Sequence, residues 1–284
     1  MSERLRIGKI TYLNLHPVFR ELERLPGAHE RYEIVEGYPA MLNNMLRNGA
    51  IDVSPSSSVA YLKDRKHLTY IPGHSISCRG PILSILLFCS RPIEELGGRQ
   101  ITVTHQTETS SALLDIILRK FLNLTCSQSV SQSPMYKALA GVDAALCIGD
   151  EALFIMAGAT GIYRATSAAI PHTLCNVAGR RMHVYDLGEI WHMKTGLPMV
   201  FALWTMSRET EKRRIHEVTR LRQDLDSARL KAMSEMDAVA EELGGRGLPL
   251  SAAEIKAYWR TIEYALPDDC IMGLDLFGRH LTSP

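Results

Sequence analysis

The chain has 284 residues, 46% hydrophobic and 22% charged, with a formal net charge of +1. That suits a soluble globular protein large enough for two cores, and it excludes a global field that would recruit nucleic acid or an acidic membrane surface. The opening MSERLRIGKITYLN lacks an apolar signal core, no apolar stretch approaches the ~18 residues of a membrane span, and the six cysteines include no C-x-x-C pair, so reduced thiols in a cytoplasmic protein are expected.

In chain order, Arg6–Tyr12 reads as a first strand. Pro17 disfavours helix at His16 and suits the first turn of a helix through Val18, Phe19 and Leu22. Asn14 therefore lies at a strand's C-terminal end, where open α/β sheets place ligands, or is an ordinary Asx turn residue. Tyr32–Val35 is a short strand, and Tyr38–Asn48 a helix stopped by Gly49. Ile51–Val53 is the next strand, followed by Ser54-Pro55-Ser56-Ser57-Ser58 and a helix Val59–Lys63. Serines before a helix cap its free N–H groups, and the same groups can bind a carboxylate.

After a strand at His67–Ile71 comes Ser77–Ser90, SCRGPILSILLFCS. From Ile82 to Phe88 it is apolar except at Ser84, which suits a strand covered on both faces. A hydroxyl there needs a partner or a cavity, because leaving it unpaired costs about 1–3 kcal/mol. Ser84 thus either bonds a neighbouring carbonyl or faces the floor of a cleft. Gln100–Thr104 leads into His105–Ser111 and a helix Ala112–Leu122, repeating the order of strand, hydroxyl-rich loop and helix. Two such helix starts can clamp a small anion with more than one acidic group.

Ala144–Ile148 reads as a buried strand, with Asp150 as the N-cap of the helix that follows. Residues 158–182 show weak periodicity and receive no assignment. Their His172 and Cys175, with His183 and His192 nearby, match no zinc spacing. Met199–Trp204 is a second run apolar at every position. With Ile82–Phe88 it suggests paired crossings between two lobes that enclose a ligand cleft. From Ser207 onward the chain is helical, with core stripes at Ile215, Val218, Leu221 and Leu225 and at Leu230, Met233, Met236, Val239 and Leu243. A capping box, Ser251-x-x-Glu254, opens a helix to Tyr264, and a last helix spans about Asp269–Leu281.

Seven segments (RIGKITYLN, DVSPSSSVAYL, SCRGPILSILLFCS, the Thr109-Ser110 helix start, GDEAL, DLGEIW and GLPMVFALW) stand in the order found in the chorismate dehydratase family of the futalosine route to menaquinone. The chain resembles that family over most of its length. It departs in roughly Gly158–Met182, which is longer than the family's pattern and is expected to be a surface insertion. The resemblance implies an α/β, two-lobed type II periplasmic-binding-protein-like fold with two crossover strands. Residues 1–86 plus 204–284 would form lobe 1, and 87–203 lobe 2.

The resemblance also implies a reaction. Chorismate loses its C4 hydroxyl and C3 hydrogen as water, giving 3-[(1-carboxyvinyl)oxy]benzoate, with no metal or organic cofactor. The partner is this small molecule, with no nucleic acid and no membrane, in the cytoplasm. Asn14 and Ser84 are implied nearest the reacting ring, Ser84 hydrogen-bonding the departing hydroxyl and Asn14 orienting the enolpyruvyl arm. Ser56, Ser57 and Ser58 in one lobe and Thr109, Ser110 and Ser111 in the other are expected to bind the two carboxylates. Arg79 and Gly80 of the SCRGP turn join them; Arg79 and Lys9 either add charge or are turn and surface residues. No His, Asp or Glu lies in the motifs expected at the cleft, so no ordinary protein base is evident. The C3 proton goes either to the substrate's own enolpyruvyl carboxylate, which correct orientation would favour, or to a protein group that the sequence does not identify. Two other readings stand beside this one: the 1,4-dihydroxy-6-naphthoate synthase of the same pathway, and a non-catalytic solute-binding or sensor protein of the same fold.

Overall fold

Two β-sheets divide the chain: the first joins strands from both ends of it, and the second is built from the continuous stretch between. The structure, a computed structural model, describes residues 4–104, 108–131, 133–165 and 169–282. Among the described residues, thirteen strands run in chain order as β1 Leu5–Lys9, β2 Tyr32–Glu36, β3 Val53–Ser57, β4 Leu68–Cys78, β5 Ile85–Cys89, β6 Gln100–Val103 and β7 Ser127–Val130. They continue as β8 Ala144–Ile148, β9 Thr160–Ala165, β10 His172–Val177, β11 Arg180–Asp186, β12 Met199–Ser207 and β13 Glu263–Ala265. The first sheet has the order β13-β4-β12-β3-β1-β2 and the second β7-β6-β8-β5-β11-β10-β9.

In the first sheet β1 pairs in parallel with both β2 and β3, and the helices His16–Arg24 and Pro39–Arg47 form the crossovers. β12 lies antiparallel between β3 and β4. In the second sheet β6 is parallel to β7 and β8, while β5 is antiparallel to β8 and β11. Both sheets therefore carry helices on their faces, and the central strands are buried on both sides. This is why β5 (ILLFC) and most of β12 read as continuous apolar runs.

The two apolar runs are not themselves the crossings. β5 belongs wholly to the second sheet and β12 wholly to the first. A strand buried on both faces looks the same in sequence whether it lies inside one lobe or spans two. The chain passes between sheets in the segment after Cys78 and before Ile85, and again after Asp186 through the helix Leu187–Thr195. The boundaries expected at 86 and 204 thus fall inside β5 and β12.

One buried carboxylate ties the two crossings together. Asp186 accepts from the N–H groups of Ile82 at 2.9 Å and Leu83 at 2.7 Å in the first crossing. It also accepts from Gly188 at 2.9 Å and Glu189 at 3.1 Å, capping the helix that forms the second. Burial pushes its carboxyl up, and the N–H donors pull it back down. Leu83 is held at φ +64°, uncommon for a branched residue, immediately before Ser84. Gly188 is required by close approach: a Cβ there would stand 2.6 Å from Cys78 Sγ and 2.8 Å from the Gly80 carbonyl oxygen.

Residues 158–182 contribute β9, β10 and the start of β11, an antiparallel meander on one edge of the second sheet. Residues 160–164 are exposed, so β9 carries no alternation that sequence could reveal. Residues 166–168 lie outside the described residues, as do 105–107 of the expected hydroxyl-rich loop. In the helices Ile215–Ser234 and Met236–Gly244 the predicted core positions Val218, Leu221, Leu225, Met236, Val239 and Leu243 are buried, whereas Ile215 and Leu230 are exposed, because both stripes begin at positions that face solvent. The Ser251–Glu254 capping box is formed. Among the described residues, no helix is long and apolar enough to cross a membrane.

Candidate functional site

The two lobes meet around the loop after β1 and the residue before β5. Leu13 and Asn14 occupy the first of these. Trp259 donates its indole N–H to the Leu13 carbonyl at 2.7 Å, and Tyr264 donates its hydroxyl to the Asn14 carbonyl at 2.8 Å. From the other lobe, Asp150 Oδ1 accepts the Leu13 N–H at 3.0 Å. Asn14 Oδ1 is buried and has no hydrogen-bond partner among the described residues. A buried amide oxygen left so costs on the order of 1–3 kcal/mol unless a ligand or water satisfies it.

Ser84 is 4% exposed and closes the other side. Its carbonyl accepts from Gly149 N–H at 2.7 Å, and its Oγ accepts from the Tyr258 hydroxyl at 3.1 Å. Gly149 has φ +61°, and a Cβ there would lie 3.5 Å from the Tyr12 ring. Its left-handed backbone turns β8 into the helix Gly149–Ala157 at the point where the lobes touch. Asp150 does not cap that helix. The N-cap position is Ile148, and the Asp150 side chain reaches across to Leu13. Residue order gave the cap; the neighbouring lobe offered a buried donor instead.

Electrostatically this region favours neutral groups. Burial pushes the Asp150 carboxyl up to about 6, with the Leu13 N–H pulling the other way. Burial, aided by Asp150 and Glu151, pushes the Tyr12 phenol up to about 12. Burial pushes the Tyr258 and Tyr264 phenols further up, so both are uncharged donors at neutral pH. His16, stacked with Trp259 at 6.3 Å between ring centroids, is pushed down by burial and nearby cations.

A second set of contacts joins the lobes, one exposed and one buried. Ser57 caps the helix Ser58–Lys63 through Ala60 N–H at 3.1 Å and donates to Glu108 Oε2 at 3.0 Å. Val59 N–H is 3.3 Å from Thr109 Oγ1. Both pairs join the starts of helices from opposite lobes. The helix carrying Thr109, Ser110 and Ser111 begins at Glu108, four residues before the predicted start, so the three hydroxyls lie in its first turn.

The remaining expected residues have other neighbours. Ser56 lies in β3 with its hydroxyl 3.4 Å from the Ser54 carbonyl. Ser58 donates to the Val200 carbonyl at 2.6 Å. Ser110 is buried, and Ser111 donates to Gln128 Oε1 within its own lobe. Gly80 is at φ +115°, and its carbonyl accepts from the Cys78 thiol. Arg79 forms a two-point ion pair with Asp269 at the surface, one contact being Nη2 to Oδ1 at 2.9 Å. Lys9 pairs with Glu23 at 2.5 Å and Glu36 at 3.3 Å. Glu108, Asp150, Tyr258, Trp259 and Tyr264 were not among the sequence-predicted site residues. Among the described residues, no group of three or more His, Cys, Asp or Glu side chains is placed to hold a metal ion.

These features define a two-lobed protein of the periplasmic-binding-protein-like fold, with hydrogen bonds at Leu13, Ser84 and Ser57 joining the lobes. The chain belongs to the menaquinone biosynthesis family, whose model matches residues 5–282. It is 28% identical over 285 residues to the chorismate dehydratase of Thermus thermophilus, covering 98% of this chain and 95% of that one. Among solved structures it is similar to the alkanesulfonate-binding protein SsuA of Xanthomonas axonopodis pv. citri, with a TM-score of 0.62 at 18% identity over 99% of this chain and 95% of that one. The ligand-binding component of an ABC-type import system from Staphylococcus aureus gives a TM-score of 0.63 at 11% identity, covering 100% and 94% of the two chains. These two likenesses define the fold.

Proposed function

We propose that this protein is a chorismate dehydratase, a hydro-lyase that converts chorismate to 3-[(1-carboxyvinyl)oxy]benzoate and water in the cytoplasm. The observation that carries this reading is the end-to-end similarity to the Thermus thermophilus chorismate dehydratase, within a family defined by menaquinone biosynthesis. The site's chemistry agrees with the demand of the reaction. Aromatisation of the ring supplies the driving force, so the protein must hold one conformer and assist departure of the C4 hydroxyl.

Ser84 donates a hydrogen bond to that departing hydroxyl. The amide of Asn14, whose oxygen is buried without a partner among the described residues, orients the enolpyruvyl arm. The C3 proton passes to the enolpyruvyl carboxylate of the same molecule, a transfer that correct orientation favours. The helix starts at Ser57 and at Thr109–Ser110 hold the two carboxylates through hydroxyls and backbone N–H groups. Their contacts in this structure, Ser57 with Glu108 and Val59 with Thr109, are those the substrate's oxygens replace.

The test is incubation of the purified protein with chorismate, followed by chromatography and mass. Product lighter by one water, in excess over protein, is the expected result. Chorismate bound but unchanged identifies a binding or sensing protein instead.

A further inference from the structure

We propose that Tyr258 is a positioning residue for the dehydration, fixing the Ser84 hydroxyl as a donor directed into the cleft. This rests on the reaction proposed above and adds to it a residue that acts through Ser84. The Tyr258 hydroxyl lies 3.1 Å from Ser84 Oγ, 174 residues away in the chain. A phenol is a stronger acid than an aliphatic alcohol, so in this pair the phenol donates and the serine oxygen accepts. The serine's single proton is then left for whatever faces it across the cleft. Accepting one hydrogen bond also strengthens the one a hydroxyl donates, by roughly 10–30%.

The surroundings hold this pair in register. Tyr258 is 1% exposed, in the helix Ala252–Trp259. The next residue, Trp259, holds the Leu13 carbonyl, and Tyr264 holds that of Asn14. Thr261 Oγ1 lies 3.3 Å from the carbonyl of Ile82, two residues before Ser84. One short segment of the first lobe therefore grips both loops that carry the proposed catalytic side chains. Of its contacts, the Tyr258–Ser84 bond is the one made to a proposed catalytic side chain rather than to a main-chain carbonyl. Desolvation keeps the phenol in its donor form throughout the working pH range.

The experiment is a double-mutant cycle on chorismate turnover with Tyr258→Phe and Ser84→Ala. Tyr258→Phe keeps the buried ring and removes one oxygen. Alone, it should lower kcat about tenfold while KM moves less than about twofold, the loss of one hydrogen bond felt in the transition state. In the Ser84→Ala background it should change kcat by less than about twofold, since the group it orients is gone. Equilibrium titration with the product, 3-[(1-carboxyvinyl)oxy]benzoate, should give wild-type affinity for Tyr258→Phe, which separates lost positioning from lost folding. The inference is overturned if Tyr258→Phe leaves kcat unchanged, if its effect multiplies with that of Ser84→Ala, or if only binding is lost. A wild-type protein that does not convert chorismate removes the reaction itself, whereas turnover with additive effects removes only the role of Tyr258.

Discussion

The floor of the cleft and its mouth are held by contacts of different kinds. At the floor, Trp259, Tyr264 and Tyr258 are buried neutral donors, each bonded to a group on a neighbouring loop of fixed path. Asp186 adds N–H contacts that lock the Leu83 turn beside Ser84. At the mouth, the lobes meet through a partly exposed Ser57–Glu108 bond and a longer Val59–Thr109 contact. Hydrogen bonds near water are worth little net, because water competes for both partners. On the proposed function the floor is preorganised, and at the mouth the exposed Ser57–Glu108 bond is the one that yields most easily to a ligand, whereas Val59 and Thr109 are buried. An orientation-dependent reaction needs both properties, rigid placement at the reacting atoms and an entrance that closes behind the substrate.

Removing the Ser84 hydroxyl, proposed to assist the departing group at the floor, is the strongest way to test this division. Ser84→Ala should lower kcat by about 100-fold or more, as loss of a preorganised donor to developing charge does, with KM little changed. Steady-state kinetics on chorismate decide it. A variant with full kcat would remove Ser84 from the reaction and with it the distinction between floor and mouth.

Asp150 tests what burial does where the two regions join. Its carboxyl is raised from 3.8 to about 6 by desolvation, so the folded state holds a proton more tightly than the unfolded chain. The stabilisation from that proton is fully present below about pH 4 and is lost as pH rises through about 6. Asp150→Asn has no such term and can still accept from Leu13. The stability of the variant relative to wild type should therefore rise between pH 4 and pH 7, by roughly 2 kcal/mol from the size of the shift. Urea midpoints at several pH values measure it; parallel curves for the two proteins would mean the carboxyl is not held up by burial.

At the mouth the expected effect falls on binding. Ser57→Ala with Ser110→Ala should raise KM about tenfold, the loss of one or two modest hydrogen bonds, and leave kcat within about threefold. An unchanged KM would separate these helix starts from the carboxylates.

The same contrast shows what sequence can reveal. The paired helix starts were legible because hydroxyls after a strand and before a helix have local causes. The Ser251–Glu254 capping box was legible for the same reason, and it forms with Ser251 N–H 2.8 Å from Glu254 Oε2. The apolar runs at β5 and β12 gave strands, but their membership in different sheets depends on pairing with distant partners. Tyr258 and Tyr264 were not legible. Each is an ordinary aromatic in its own neighbourhood, and its partner lies 174 or 250 residues away. Asp150 looked like a cap because the first turn of a helix is where capping aspartates stand. Nothing local announces that Leu13 supplies the competing donor.

The smallest expected effect concerns Arg79, where the motif and the geometry point apart. In the SCRGP turn, a cation beside a dianionic substrate is a natural carboxylate ligand. Here both guanidinium contacts go to Asp269 at the start of the helix Asp268–Thr282, with the two side chains 43% and 39% exposed. An exposed pair of this kind contributes about 0–1 kcal/mol, and salt screens it. Arg79→Ala should therefore shift KM by less than about twofold and stability by less than about 1 kcal/mol. A tenfold rise in KM that shrinks as salt is added would show that Arg79 leaves Asp269 for the substrate. The mouth would then hold its ligand by charge as well as by helix starts.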